Sequence, residues 1–226
     1  MKSMTRIVFL FSFTIALAVV SAQERPLTIG LIGDSTVAST YGWGPAFAEQ
    51  CNKQVTVINY AKNGATLDSL SKKLDALIRK KPDYVLIQFG HNDMKRYGVD
   101  PYGVKLKDYV QRLKRGGCKP IVLSSVTRRS FDDTGKISPR IINGNRSLPA
   151  FSRSAKAVAQ AEGVPFIDLN TISIEHHNHI GPEASAAYNF NENDKTHFSK
   201  KGARAIANLI LKELKAVVPE LTPYLQ

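Results

Sequence analysis

The sequence predicts an α/β fold, a three-layer α/β/α sandwich built on a five-stranded parallel sheet, from two observations. Short apolar runs bounded by turn residues alternate along the chain with segments of helical spacing, and those runs are nearly continuously apolar, with no hairpin signal between them. Continuously apolar strands are buried on both faces, and strand-helix alternation joins parallel strands through right-handed crossovers that leave helices on either side.

The chain begins with Lys2 and Arg6, an apolar run from Ile7 to Val20, and the small pair Ser21-Ala22. This pattern predicts a secretory signal peptide over residues 1–22, cleaved near Ala22, because the run is shorter than the roughly 20 residues of a spanning helix. A secreted or periplasmic location without stable membrane insertion is therefore expected. Residues 23–226 contain no linker, repeat or low-complexity stretch and are read as one domain.

Within that domain the first strand is expected at Leu27–Ile32, followed by a helix over Trp43–Gln50. A second strand, Val55–Tyr60, leads to a helix over Leu67–Arg79, and a third, Tyr84–Phe89, to a helix over Val104–Leu113. The fourth strand, Ile121–Val126, precedes a helix over Pro149–Ala161, and the fifth, Pro165–Leu169, precedes a last helix over Lys200–Val218. In such sheets ligands bind beyond the carboxyl ends of the strands, so the polar residues that follow each strand carry the functional information.

The net charge is +12 and falls to +10 without Lys2 and Arg6. A basic exported protein attracts polyanions in a salt-dependent manner, and acidic polysaccharide fits export best. No compact basic run interleaved with aromatics indicates a nucleic-acid groove; simple solubility is the plainer explanation of the charge. The two cysteines, Cys51 and Cys118, each precede a predicted strand. Intervening strands would hold them beyond the roughly 5–6 Å Cα spacing of a disulfide, so two free thiols are expected.

The first strand runs into Gly33-Asp34-Ser35-Thr36, which sets a hydroxyl on the turn where the chain leaves the sheet. Taken alone, this pair is better read as a cap. The second strand is followed by Gly64, whose N–H a ligand can approach without a side chain in the way, and the third by Gly90-His91-Asn92-Asp93, where Asn92 offers an amide donor. Before the last helix comes Asp194-Lys195-Thr196-His197. Imidazole activates a serine near neutral pH when a carboxylate holds its tautomer. Donors from Ser35, Gly64 and Asn92 could hold the negative charge that grows on an attacked ester oxygen. Metal ligation by Asp194 and His197 lacks an obvious third ligand.

These residues together resemble the SGNH (GDSL-type) hydrolases, over nearly the whole of 23–226. The resemblance implies a flavodoxin-like three-layer sandwich, a catalytic Ser35, His197 and Asp194, an oxyanion hole from Ser35, Gly64 and Asn92, and neither metal nor other cofactor. Within the family the chain is most similar to the rhamnogalacturonan acetylesterases, on Gly33-Asp34-Ser35-Thr36-Val37-Ala38, Gly42-Trp43-Gly44, Gly90-His91-Asn92-Asp93, Val126-Thr127-Arg128-Arg129-Ser130-Phe131 and Asp194-Lys195-Thr196-His197-Phe198-Ser199 with Gly202-Ala203. That similarity implies removal of acetyl groups from an acetylated acidic polysaccharide, the galacturonate-containing backbone of pectin. A monomer with no nucleic-acid partner is expected.

Arg128 and Arg129 follow the fourth strand and are candidates for sugar carboxylates, at least one of them being better read as a surface arginine. His91 is expected to pack in support of Asn92. Trp43 is expected to be packing, and His176, His177 and His179 a solvent-facing loop. The rivals are a lipase or lysophospholipase of the same family, an acetylxylan esterase, and a polysaccharide-binding module without turnover.

Overall fold

The computed structural model describes residues 25–226, and the expected signal peptide over 1–22 lies outside the described residues. In chain order the elements are β1 (Leu27–Gly33), α1 (Gly44–Glu49), β2 (Val55–Asn59), α2 (Leu67–Ile78), β3 (Tyr84–Gln88), α3 (Asp93–Arg96), α4 (Val99–Arg115), β4 (Lys119–Leu123), β5 (Ile141–Asn143), β6 (Arg146–Ser147), α5 (Leu148–Glu162), β7 (Phe166–Ile167), α6 (Leu169–Ala186) and α7 (Lys200–Val217). Five of the strands form a parallel sheet in the order β2-β1-β3-β4-β7, with Leu31 of β1 opposite Asn59 of β2 and Leu86 of β3. The chain steps from β1 out to β2 and then back across β1 to β3. That reversal opens a crevice beyond the carboxyl ends of β1 and β3, where doubly wound sheets bind ligands.

Period-two alternation along the strands supplies two cores. Ile29, Leu31, Leu86, Ile121 and Leu123 face one side, where they meet Phe47 of α1 and Ile206, Ile210 and Leu214 of α7. Ile32, Val85, Ile87 and Val122 face the other side, against α2, α4 and α5. On α2 the inward leucines are Leu67, Leu70, Leu74 and Leu77, a spacing that keeps one helix face on the sheet. The helix starts at Thr66, whose side chain accepts from Ser69 N while the Ser69 side chain accepts from the Thr66 N–H. Burying one such leucine contributes about 2 kcal/mol, and truncating it to Ala costs about 2–5 kcal/mol once the cavity is included.

The five predicted strands are all present, the last reduced to Phe166–Ile167. Besides the short, unexpected helix α3, two elements differ from expectation. A hairpin, β5-β6, turns at Gly144 with φ 44° and pairs Ile141 with Ser147. Its signal was present as the dipeptide Gly144-Asn145, whose glycine takes the positive φ of a tight two-residue hairpin turn. The segment holding His176, His177 and His179 is helix α6, kinked at Gly181, and is not a solvent-facing loop. Its inward face is polar, with Asn170, Ser173, His177 and Ser185 buried, so there was no apolar stripe to read. Tertiary hydrogen bonds hold part of that face: Asn170 donates to Ser125 O at 3.1 Å and Thr127 N to Ser173 Oγ at 3.0 Å.

Cys51 and Cys118 are both free thiols. They lead into β2 and β4, with β1 and β3 between those strands. No helix among the described residues is long and apolar enough to cross a membrane.

Candidate active site

At the end of β1 the chain turns away from the sheet while still pressed against β3. A Cβ at Gly33 would strike the main-chain oxygen of Gln88, so a glycine is needed for that approach. The Asp34 carboxylate then closes the turn, accepting from Thr36 N at 2.9 Å and Thr36 Oγ1 at 2.7 Å, while its carbonyl accepts from Val37 N and Ala38 N. Asp34 is therefore the capping residue of the pair, and the Ser35 hydroxyl is left over. Behind the turn Gln88 donates to Thr36 Oγ1 and accepts from Trp43 Nε1 at 2.9 Å. Trp43 is fully buried in this network, as packing.

The turn before α7 comes to meet Ser35. His197 Nε2 lies 2.8 Å from Ser35 Oγ, and His197 Nδ1 lies 2.7 Å from Asp194 Oδ2. The other carboxylate oxygen of Asp194 accepts from the N–H groups of Thr196 and His197, both at 3.0 Å. Burial works to raise the Asp194 carboxyl, but these bonds from His197 and Thr196 outweigh it and hold the group below the usual carboxylate range. The turn is anchored on both sides, by Phe198 N donating to Tyr41 O at 3.0 Å and Phe190 N donating to His197 O at 3.0 Å. Ser199 caps α7 by accepting from Gly202 N, so His197 precedes the helix rather than opening it.

Two further strand ends border Ser35. Lys62 N donates to Gly33 O at 3.1 Å, which brings the Asn63-Gly64 loop beside the Ser35 turn. Gly64 has φ 73° and space around its Cα, so its backbone geometry rather than crowding favours glycine. Asn92 Nδ2 donates to Ala65 O at 3.1 Å, tying the β3 end to the residue after Gly64. Among the described residues no protein acceptor takes the N–H of Ser35 or of Gly64. Asp93 locks the arrangement from beneath, accepting from Leu67 N at 2.9 Å and from the Tyr97 hydroxyl.

A hydroxyl, an imidazole and a carboxylate in series, with free N–H donors alongside, is the geometry of acyl transfer. Residues 31–205 match the family model described as GDSL-like lipase/acylhydrolase. The chain belongs to this family. It is accordingly a serine carboxylic ester hydrolase. The rhamnogalacturonan acetylesterase RhgT of Bacillus subtilis is 33% identical over 219 residues, covering 85% of this chain and 91% of that one. Among solved structures, the YxiM protein of Bacillus subtilis superposes with a TM-score of 0.72 at 27% identity, over 84% of this chain and 56% of that one. The acetylxylan esterase Axe2 of Geobacillus stearothermophilus has a TM-score of 0.64 at 19% identity, over 84% of this chain and 96% of that one, a likeness of fold.

Around this esterase site the structure sorts the remaining candidates. Arg129 is 2% exposed and turned inward, so it is not placed to meet a sugar carboxylate. Its Nη2 donates to His197 O at 2.5 Å, its Nε to Asn189 Oδ1 at 2.6 Å, and its guanidinium sits 4.8 Å over the Phe198 ring. Burial lowers it to about 10, with Asp194 opposing, which leaves it charged at neutral pH. Arg128 is half-buried at the crevice side. His91 is buried, its Nε2 2.9 Å from Val126 O after β4, and burial depresses it to about 3, so it stays neutral. His177 is also buried, 2.9 Å from Ser185 Oγ, and burial depresses it to about 3.

Two aromatic residues were not singled out from sequence. The rings of Tyr41 and Phe190 meet edge-on at 4.5 Å, and Tyr41 lies 5.4 Å from the His197 ring. Phe190 is 45% exposed, so this pair forms an apolar wall beside the imidazole. Beyond Tyr41 opens a recess of about 410 Å³ lined by Glu49, Phe198 and Arg204 among others. No local pattern marks Tyr41 or Phe190, which meet only because two distant loops converge.

Proposed function

We propose that this esterase is an exported carbohydrate deacetylase that removes O-acetyl groups from pectic rhamnogalacturonan, with Ser35 as nucleophile, His197 as base and Asp194 as orienting carboxylate. The continuous series Asp194–His197–Ser35, with spacings of 2.7 and 2.8 Å, supports this reading most directly. The similarity to RhgT over 91% of that protein's length supports the substrate class.

In this mechanism Ser35 Oγ attacks the acetyl carbonyl carbon while its proton passes to His197 Nε2. The oxygen of the tetrahedral intermediate is held by the N–H groups of Ser35 and Gly64 and by the Asn92 amide. The C–O bond to the sugar then breaks, and the departing sugar oxygen takes the proton from His197. Water next adds to the acetyl-serine with His197 as base, and acetate leaves as Ser35 regains its proton. Asp194 remains ionised throughout, since its hydrogen bonds hold its carboxyl low.

Acetate release from acetylated rhamnogalacturonan, acetylated homogalacturonan and acetylated xylan tests the reading. The first should be the best substrate, and Ser35→Ala should abolish turnover of all three and of an aryl acetate. Faster release from xylan would move the assignment to a xylan deacetylase. Preference for long-chain aryl esters over the acetate would move it to a lipase.

A further inference from the structure

Three cations gather at the crevice, none of them ion-paired to a carboxylate of the described residues. Lys95 lies on α3, one turn after Asn92, and its Nζ donates to Asn92 Oδ1 at 3.2 Å. Arg128 follows β4, the strand beside β3. Arg140 immediately precedes the β5-β6 hairpin, which is held against α3 by Arg146 Nε donating to Met94 O at 2.7 Å. Arg140 O in turn accepts from Leu148 N at 3.1 Å. The elements after β3 and β4 and the hairpin thus bring three basic side chains to the edge where the oxyanion donors lie.

Some other basic side chains of this protein are paired with acids. Arg112 is held by Asp75 at 2.5 Å and Asp108 at 3.1 Å, and Arg204 by Glu49 at 3.1 Å. Among the described residues Lys95, Arg128 and Arg140 have no carboxylate within ion-pair distance, and Arg128 Nε is buried without any acceptor. Lys95 and Arg140 sense their neighbours' charge. Burial and then the charges of Arg140 and Arg128 lower Lys95, with Asp34 opposing, and burial and then Arg128 lower Arg140. Like charges held together in partial burial repel, and a bound anion would relieve that repulsion.

We infer that Lys95, Arg128 and Arg140 form a carboxylate-binding subsite beside the oxyanion donors, which takes a uronate carboxylate of the sugar chain and sets the neighbouring acetyl group over Ser35. The planar fork of a guanidinium matches a carboxylate in two parallel hydrogen bonds, and two forks with an ammonium discriminate a uronate from a neutral sugar. This subsite rests on the deacetylase reading and narrows its substrate to acidic chains. It also replaces Arg129 with Arg140 as the partner of Arg128, since Arg129 is committed to the His197 turn.

The test is calorimetric titration of Ser35→Ala protein with trigalacturonate, its methyl ester and xylotriose. The acid should bind about tenfold tighter than its ester, a difference of about 1.4 kcal/mol, and xylotriose weakest. Arg128→Gln and Arg140→Gln should each remove most of that preference, Arg140→Lys should keep part of it, and Lys212→Gln, which removes one exposed charge on α7, should leave it intact. Thermal melts confirm that each variant is folded. Absence of binding by the acid, equal binding of acid and ester, or a preference that survives both arginine substitutions overturns the subsite. Wild-type acetate release is read separately: release from acetylated rhamnogalacturonan without the acid preference sinks the subsite alone. An acid preference without any polysaccharide deacetylation sinks the deacetylase reading.

Discussion

Arg129 Nη2 donates to the main-chain carbonyl of His197 from a position almost wholly shut from solvent. The same guanidinium reaches Asn189 Oδ1, so one side chain from the end of β4 braces the turn that presents the imidazole. A buried hydrogen bond from a charged group is worth about 1.5–3 kcal/mol, and its loss leaves His197 O to Phe190 N alone and takes from Asn189 Oδ1 its donor. A displacement of about 1 Å at a catalytic group costs on the order of a hundredfold in rate.

Arg129→Met should therefore lower the melting temperature and reduce kcat on an aryl acetate by about ten- to a hundredfold, with a small change in KM. Arg129→Lys, which keeps a charged donor, should recover part of the rate. A variant with native kcat would show that the His197 turn holds its shape unaided.

Asp194→Asn is expected to reduce kcat/KM by about 10²–10⁴-fold while the fold survives. An amide can still accept from Thr196 N and His197 N through its oxygen, as Asp194 Oδ1 does now. Its NH₂ would then face His197 Nδ1, favour the tautomer with the proton on Nε2, and leave no acceptor for the Ser35 proton. Near-native steady-state rates in this variant would remove Asp194 from the relay.

For Asn92→Ala the expectation is a loss of about a hundred- to a thousandfold in kcat, the usual effect of removing one oxyanion donor. Single-turnover measurement of acetyl-enzyme formation is the sharper readout, because the oxyanion forms in that step. Unaltered acylation would leave only the Ser35 and Gly64 N–H groups as donors.

Asp34 makes stability fall as pH rises through the weakly acidic range. Burial, opposed by its Thr36 bonds and reinforced by the Asp93 charge, raises this carboxyl from 3.8 to about 6. Between about pH 4 and pH 6 the folded protein holds a proton that the unfolded chain has released, so the folded state loses stability with rising pH. The effect is on the order of 3 kcal/mol across that window. Asp34→Asn should be nearly free of it, so the difference in unfolding free energy between the two proteins should change with pH in urea titrations from pH 4 to 7. A constant difference would mean that Asp34 ionises normally in its turn.

Much of the fold was legible because it rests on local patterns. Apolar runs such as Tyr84–Gln88, buried on both faces, read as strands without any partner in view. The candidate residues Ser35, Gly64, Asn92, Asp194 and His197 were legible because they follow strands or precede a helix, where the chain leaves its pattern. Arg129 and Arg140 were not: whether an arginine points inward or to the crevice depends on which carbonyls and charges surround it after folding. Helix α6 was hidden for a related reason, since its inward Asn170 and Ser173 are matched to Ser125 O and Thr127 N from another segment, and His177 to Ser185 Oγ across the kink of the helix.

The sequence by itself determined the strand-helix alternation and the strand-end positions at which Ser35 and its companions stand, because side-chain periodicity and turn chemistry act over a few residues. Only the tertiary structure decided that Ser35 is left free while Asp34 caps the turn. It alone set His197 2.8 Å from Ser35 across 162 positions of chain, turned Arg129 inward, and left Lys95, Arg128 and Arg140 without an ion-pair partner among the described residues. Those outcomes depend on strand order and packing, which bring together groups whose separation along the chain carries no information about their distance in space.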